Sequence, residues 1–188
     1  MTGSRVPMLD VEEAKRRAED HGIPEMLAEL SVFRVALHQP GVAVALHGML
    51  TELLFKGTFD ARLRELMIMR IGWATAAEYE WTQHWGVSRR LEISEEDLLG
   101  VRDWRHAGHF GPEERAVLAA TDDTLETGTI SDDTWAACRV AFPLDATLVE
   151  MVAAIGNWHL FSTLLKSLDV PLEDGVDPWP PDGLQPEE

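Results

Sequence analysis

The stretch AEYEWTQHWG, residues 77–86, sets an acid, Glu80, and an imidazole, His84, one helical turn apart among aromatic side chains. On a helix, Trp73, Ala77, Glu80, His84, Val87 and Leu91 fall near one face, so the pair interrupts an otherwise apolar stripe. A carboxylate buried beside an imidazole has both pKa values displaced in ways that suit proton transfer near neutral pH, provided a substrate can reach the pair. The competing reading is a helix-stabilising pair one turn apart, satisfied in the core or at a subunit contact.

A second carboxylate, Glu65, lies in RELMIMR on the preceding helix and shares a face with Ala61, Ile68 and Gly72. A short connection predicts antiparallel packing of the two helices, which would carry Glu65 to Glu80 or His84. Its alternative is an ion pair with Arg62 or with an arginine of another helix. His159, in GNWHLFS, falls on a stripe with Leu148, Val152, Ile155 and Ser162, and His47 sits in VAVALHGML. Each reads either as a hydrogen-bonded core histidine or as a further site residue. His106 and His109 read as loop residues.

Imidazoles and carboxylates together suit zinc or non-haem iron, but no HxxxH or HxxE pattern stands on one helix, so neither a metal nor a cofactor is expected. Trp73, Trp81, Trp85 and Trp158 could wall an apolar pocket or simply fill the core. Arg64, Arg70, Arg89 and Arg90 are the nearest groups able to receive a substrate carboxylate. Cys138, the one cysteine, has no basic neighbour in sequence and reads as buried and inert; a disulfide framework and a CxxC pair are excluded.

These side chains need helices to position them, and helical periodicity runs through almost the whole chain. The spacing predicts helices over 11–21, 24–37 and 40–55, the last opened by Pro40. Asp60 caps the next, ARLRELMIMRIGW, which is apolar on most sides and belongs in the core. Helices over 76–91 and from Ser94 follow, then one from Pro112 to Gly128, a shorter one capped by Ser131, and a long apolar one over 145–168. The fold class is all-α, with about seven to eight helices. Residues 1–23 read as an N-terminal arm, 24–170 as one helical domain and 171–188 as a Pro-rich acidic tail that wraps on a neighbour or stays loose.

Among the 188 residues, 16 Lys and Arg face 33 Asp and Glu, a formal net charge of -17. Residues 111–188 alone hold 3 basic and 16 acidic side chains. That field repels phosphate backbones and anionic lipid surfaces, so neither nucleic acid nor membrane is expected as a partner. The N-terminal sequence MTGSRVPMLDVEEAKRR has no apolar h-region, no apolar run approaches membrane-spanning length, and a cytoplasmic location is expected.

RELMIMRIGWATAAEYEWTQHWGVSRRLEISEEDLLGV resembles the core of the carboxymuconolactone decarboxylase family, which includes the alkylhydroperoxidase D-like proteins, and LVEMVAAIGNWHLFSTLL resembles the later helix of its longer members. The resemblance implies an all-helical fold, self-association into trimers or hexamers, and a pocket beside the histidine-bearing helix. It also implies a departure. The peroxidase branch carries a CxxC whose second cysteine stands four residues before the histidine. Those positions are Ala77 and Glu80 here, so thiol peroxidase chemistry has no nucleophile.

Glu80, Trp81 and His84 are instead similar to the acidic, aromatic stretch of the decarboxylase branch. Residue by residue the resemblance points to Glu65, Glu80 and His84 as the site, with Tyr79 beside them; His84, Glu80 and Glu65 are the candidate catalytic groups, and Tyr79, Trp81 and His159 the candidate substrate contacts. The expected activity is that of a cofactor-independent lyase or isomerase moving a proton on a small carboxylated or lactone-type molecule. A non-catalytic oligomeric scaffold and a metal- or haem-assisted oxidative enzyme using His84 with His47 or His159 are the alternatives.

Overall fold

Short polar side chains set the helix starts. The Asp60 carboxylate accepts from the Leu63 N–H at 2.9 Å, the Ser94 hydroxyl from Asp97 at 3.0 Å and the Ser131 hydroxyl from Thr134 at 3.3 Å. Each satisfies an N–H that the first helical turn leaves without a partner. Pro40 and Pro112 stand at first helical positions, where the missing N–H costs nothing.

The computed structural model describes residues 4–186, and among them every regular element is helical. The α-helices are α1 Val11–Asp20, α2 Glu25–Ala28, α3 Ser31–Ala36, α4 Pro40–Thr51, α5 Ala61–Ala74, α6 Glu78–Arg90, α7 Glu95–Gly100, α8 Pro112–Thr127, α9 Asp132–Ala141 and α10 Asp145–Leu168. One expected helix, over 24–37, is instead the pair α2 and α3. Leu30 between them is extended (ψ 135°), and the carboxylate of Glu173 accepts the Ser31 N–H at 2.8 Å. A contact from far along the chain thus takes a donor that a continuous helix would have satisfied internally. The expected helix 40–55 also ends early, its last turn widening into a π-turn over Glu52–Lys56.

The chain forms two compact units. One comprises residues up to Lys56 together with Thr163–Val176; the other comprises Gly57–Ser162 together with the segment from Asp177. In the first, α1, α2, α3 and α4 pack in succession. In the second, α5 lies between α6 and α8, and α9 packs on α8. Leu63, Leu66, Met67, Ile68, Met69 and Ile71 of α5 are all buried, which is why this helix is apolar on most sides. Its two inward arginines are neutralised. Arg70 forms a forked pair with Asp122 of α8 at 2.6 and 3.1 Å, and Asp122 also accepts from the Trp104 indole at 3.0 Å.

α5 and α6 run antiparallel through a tight connection. The Ala77 N–H reaches back to the Gly72 carbonyl at 2.8 Å and the Ala76 N–H to Trp73 at 3.1 Å, with Ala76 at φ 50° in the left-handed region. Gly72 lets the helices approach: a methyl group there would stand 3.0 Å from the Trp81 backbone nitrogen. Because a backbone atom cannot swing aside, Gly72→Ala is expected to destabilise the protein by about 1–3 kcal/mol. A thermal midpoint equal to that of the parent would mean the two helices separate without cost.

Contrary to the expectation that no apolar run approaches membrane-spanning length, α10 is long and apolar enough to cross a membrane by length and composition, yet half of its apolar window is buried in the protein. Its Glu150 carboxylate accepts the backbone N–H groups of Thr58 at 2.8 Å and Phe59 at 3.1 Å. Met151, Ala154, Ile155 and Trp158 are buried on one face, as in a core helix. Residues 169–186 have no regular structure, as their prolines and acids predict, but the segment is not loose: Trp179 is only 3% exposed.

Candidate active site

The antiparallel contact brings Glu65 of α5 against His84 of α6, with Glu65 Oε2 2.7 Å from His84 Nδ1. Glu65 Oε1 accepts from the Arg64 guanidinium at 3.2 and 3.3 Å, and the Glu65 side chain is completely buried. On the other side of the ring, His84 Nε2 has two neighbours. The Trp158 indole N–H of α10 donates to it at 3.0 Å, and Glu80 Oε2 stands 3.6 Å away. The second distance is too long for a hydrogen bond. Glu80 Oε2 is in fact buried with no hydrogen-bond partner at all.

Burial and charge displace all three titrating groups. Burial pushes Glu80 up to about 7, and the nearby Glu65 carboxylate adds to the rise against the opposing pull of His84. Burial also pushes Glu65 up, but the charge and hydrogen bond of His84, with Arg64 behind them, outweigh it and hold the carboxylate below its ordinary value. Burial pulls His84 down, while attraction and hydrogen bonding from Glu65, followed by attraction from Glu80, lift it above its ordinary value.

One geometric fact pulls against the lifted imidazole. An indole N–H can donate only to a ring nitrogen that carries no proton. Trp158 therefore favours neutral His84 with its proton on Nδ1, facing Glu65, whereas the two carboxylates favour the imidazolium. The opposition fits a group that gives and takes a proton at Nε2. Charging requires the Trp158 bond to yield and directs the new N–H toward Glu80. With Glu80 pushed up to about 7 and His84 lifted above its ordinary value, the carboxyl and the ring compete for a proton and titrate as a coupled pair.

Of the candidates, Glu65, Glu80 and His84 come together. Tyr79 is buried one position before Glu80. Trp81 is turned toward other indoles, stacking on Trp85 at 6.1 Å and donating its N–H to the Pro180 carbonyl at 2.8 Å. His159 lines an open groove of about 480 Å³ with Arg70, Trp73, Thr75 and Arg102; Glu80 and His84 do not line it. His47 lies in the first unit, where its ring meets the Thr51 hydroxyl at 3.2 Å. Arg62 pairs with Asp97 and Glu114 rather than with Glu65. Cys138 is buried and its thiol pushed up to about 11, first by burial and then by Asp123. Sequence reasoning missed the hydrogen bonds of Trp158 and Arg64. Trp158 shares a stripe with Met151, Ile155 and Leu165, and a buried indole N–H in such a place needs an acceptor.

Residues 40–123 match the carboxymuconolactone decarboxylase family. Over that segment the protein is similar to the family. The matched segment is a little under half of the chain and carries α4 to α8 with Glu65, Glu80 and His84; the helix bearing Trp158 lies outside it. A peroxidase-related protein from Ralstonia eutropha, with an alkylhydroperoxidase AhpD core, superposes at a TM-score of 0.73 and 18% identity, covering 91% of this chain and 93% of its own. A peroxidase-related protein from Silicibacter gives 0.70 at 13% identity, covering 91% of each chain. A cysteine-to-alanine variant of the debrominase Bmp8, in complex with 2,3,4-tribromopyrrole, gives 0.68 at 16% identity, covering 87% of this chain and 86% of its own. At such identities these neighbours establish the alkylhydroperoxidase D-like fold and nothing about the reaction. No protein of curated function matches the chain in sequence.

Proposed function

We propose that this protein is a carboxymuconolactone decarboxylase-like lyase or isomerase that moves a proton on a small carboxylated or lactone-type molecule, with His84 as the transferring group. The observation that carries the reading is the placement of His84 Nε2 between the Trp158 indole and Glu80 Oε2, a buried oxygen without a hydrogen-bond partner, while Glu65 holds the opposite ring nitrogen. In a decarboxylation, the electron pair left when carbon dioxide departs rests on an enolate, whose carbon then takes a proton. Protonated His84 would give that proton from Nε2, and Glu80 would restore it. Glu65 acts through the imidazole as a positioning residue. The only cysteine is buried with a raised pKa, so thiol-based chemistry of the peroxidase kind has no support here.

A second reading has its own observation. The His84 side chain is 13% exposed and does not line the 480 Å³ groove, as a purely structural pair would be. Self-association is proposed alongside either reading, since Val149, Val152 and Leu160 form an exposed apolar stripe on α10.

An imidazole titration followed by NMR, with and without a panel of lactones and keto acids, separates the two. The transfer reading expects His84 to titrate above its ordinary 6.5 and to shift with at least one compound. It also expects Trp158→Phe to raise that pKa further, because the bond that favours the neutral ring is gone. A ring that never titrates and ignores every compound makes the pair structural.

A further inference from the structure

Trp73 and Trp81 pack against part of the protein's own tail. The Arg102 guanidinium lies over both rings, 4.5 Å from the Trp73 centroid and 4.8 Å from that of Trp81. Against this cradle the tail sets an indole and a carboxylate. The Trp179 ring packs edge-on to Trp73 at 6.1 Å and tilted over Trp81 at 6.2 Å, and the Asp182 carboxylate grips Arg102 with two bonds of 2.8 and 2.9 Å. Two further bonds hold the strand of chain between them: the Trp81 indole to the Pro180 carbonyl at 2.8 Å, and the Trp179 N–H to the Thr82 hydroxyl at 3.2 Å.

Three features set this contact apart from ordinary packing. Trp179 sits at φ 54°, a left-handed conformation that costs a bulky residue free energy, so the side chain is held in place at the expense of its backbone. The Nε–H of Arg102 is buried with no acceptor, so the tail leaves part of the guanidinium unused. The cradle is also not closed off, because Trp73 and Arg102 continue into the 480 Å³ groove lined by Thr75 and His159. In a chain of net charge -17, a guanidinium lying over two indole rings is the kind of local basic group that an anionic ligand requires.

We propose that Trp73, Trp81 and Arg102 form a binding site for a small aromatic carboxylate, and that Trp179 and Asp182 occupy it as an internal competitor. The aromatic ring of the ligand takes the place of the Trp179 indole, and its carboxylate takes the place of Asp182. Because the competitor is tethered, it acts at a high effective concentration, and a free ligand binds the intact chain weakly. Glu65, Glu80 and His84 take no part, so the site stands or falls apart from the proton-transfer reading.

Indole-3-acetate is a suitable probe, followed by calorimetry on the full-length chain. The Trp179→Ala, Asp182→Asn double variant is expected to bind it at least about tenfold more tightly than the parent, the factor that one charge-assisted hydrogen bond carries. Adding Arg102→Ala to that background is expected to remove the gain. A peptide of residues 177–188 should compete with the probe for the double variant. If loss of Trp179 prevents folding, Asp182→Asn alone frees the guanidinium and must still raise affinity for the probe. A folded variant with no gain overturns the proposal, and so does a gain that survives Arg102→Ala or is matched by indole without its carboxylate.

Discussion

Replacing His84 with alanine is expected to lower turnover of whichever lactone or keto acid the parent converts by about two to four orders of magnitude, the range that a positioned general acid or base contributes. The expectation rests on the ring's two ends having different tasks. Nδ1 is committed to a fully buried carboxylate 2.7 Å away, which leaves Nε2 as the nitrogen free to exchange a proton. Because the carboxylates lift the imidazole, activity that depends on its charged form declines with rising pH only above the ordinary value of 6.5. The measurement is the pH profile of kcat/KM for parent and variant, with circular dichroism confirming that the variant is folded. Full turnover in a folded His84→Ala chain would end the assignment. Loss of thermal stability alone would move the pair to a structural role.

Glu65→Ala is expected to cost about 3–5 kcal/mol of folding stability at pH 7, because it leaves a buried Arg64 and the His84 imidazole without their shared carboxylate. The sign of the pH dependence follows from the direction of the shift. Glu65 titrates below its ordinary 4.5 in the folded protein, so its contribution is fully present above that value and is lost as pH falls through the lower folded value. His84 and Glu80 behave oppositely. Both bind protons more tightly when folded, so the stability contributed by Glu80 fades as pH rises from 4.5 to about 7, and that of His84 fades as pH rises above 6.5. Urea denaturation of parent and Glu65→Ala at pH 7 and near pH 3 should therefore give a large gap at the first pH and a smaller one at the second. Equal gaps would mean that the carboxylate matters for its packing and not for its charge.

Much of this protein follows from sequence alone because the controlling forces are local. Asp60, Ser94 and Ser131 start helices by satisfying the first free N–H groups, and Pro40 and Pro112 open helices at positions that do not need an N–H. Helical periodicity and a short α5–α6 connection were enough to predict that Glu65 would approach the face carrying Glu80 and His84. Sequence also disposed of thiol chemistry, since a single cysteine leaves alanine and glutamate where the redox pair would stand.

Tertiary structure decided what spacing cannot encode. Trp158 lies 74 positions from His84, and its indole reaches Nε2 only because α10 packs there; that bond determines which nitrogen carries the proton. The split between α2 and α3 depends on Glu173, and the burial of Trp179 depends on indoles and a guanidinium roughly 80 to 100 residues earlier. Local composition describes the tail as Pro-rich and acidic. Only the folded chain shows that two of its side chains fill a cradle, because long-range packing is chosen by the shape and charge of surfaces that come into existence on folding.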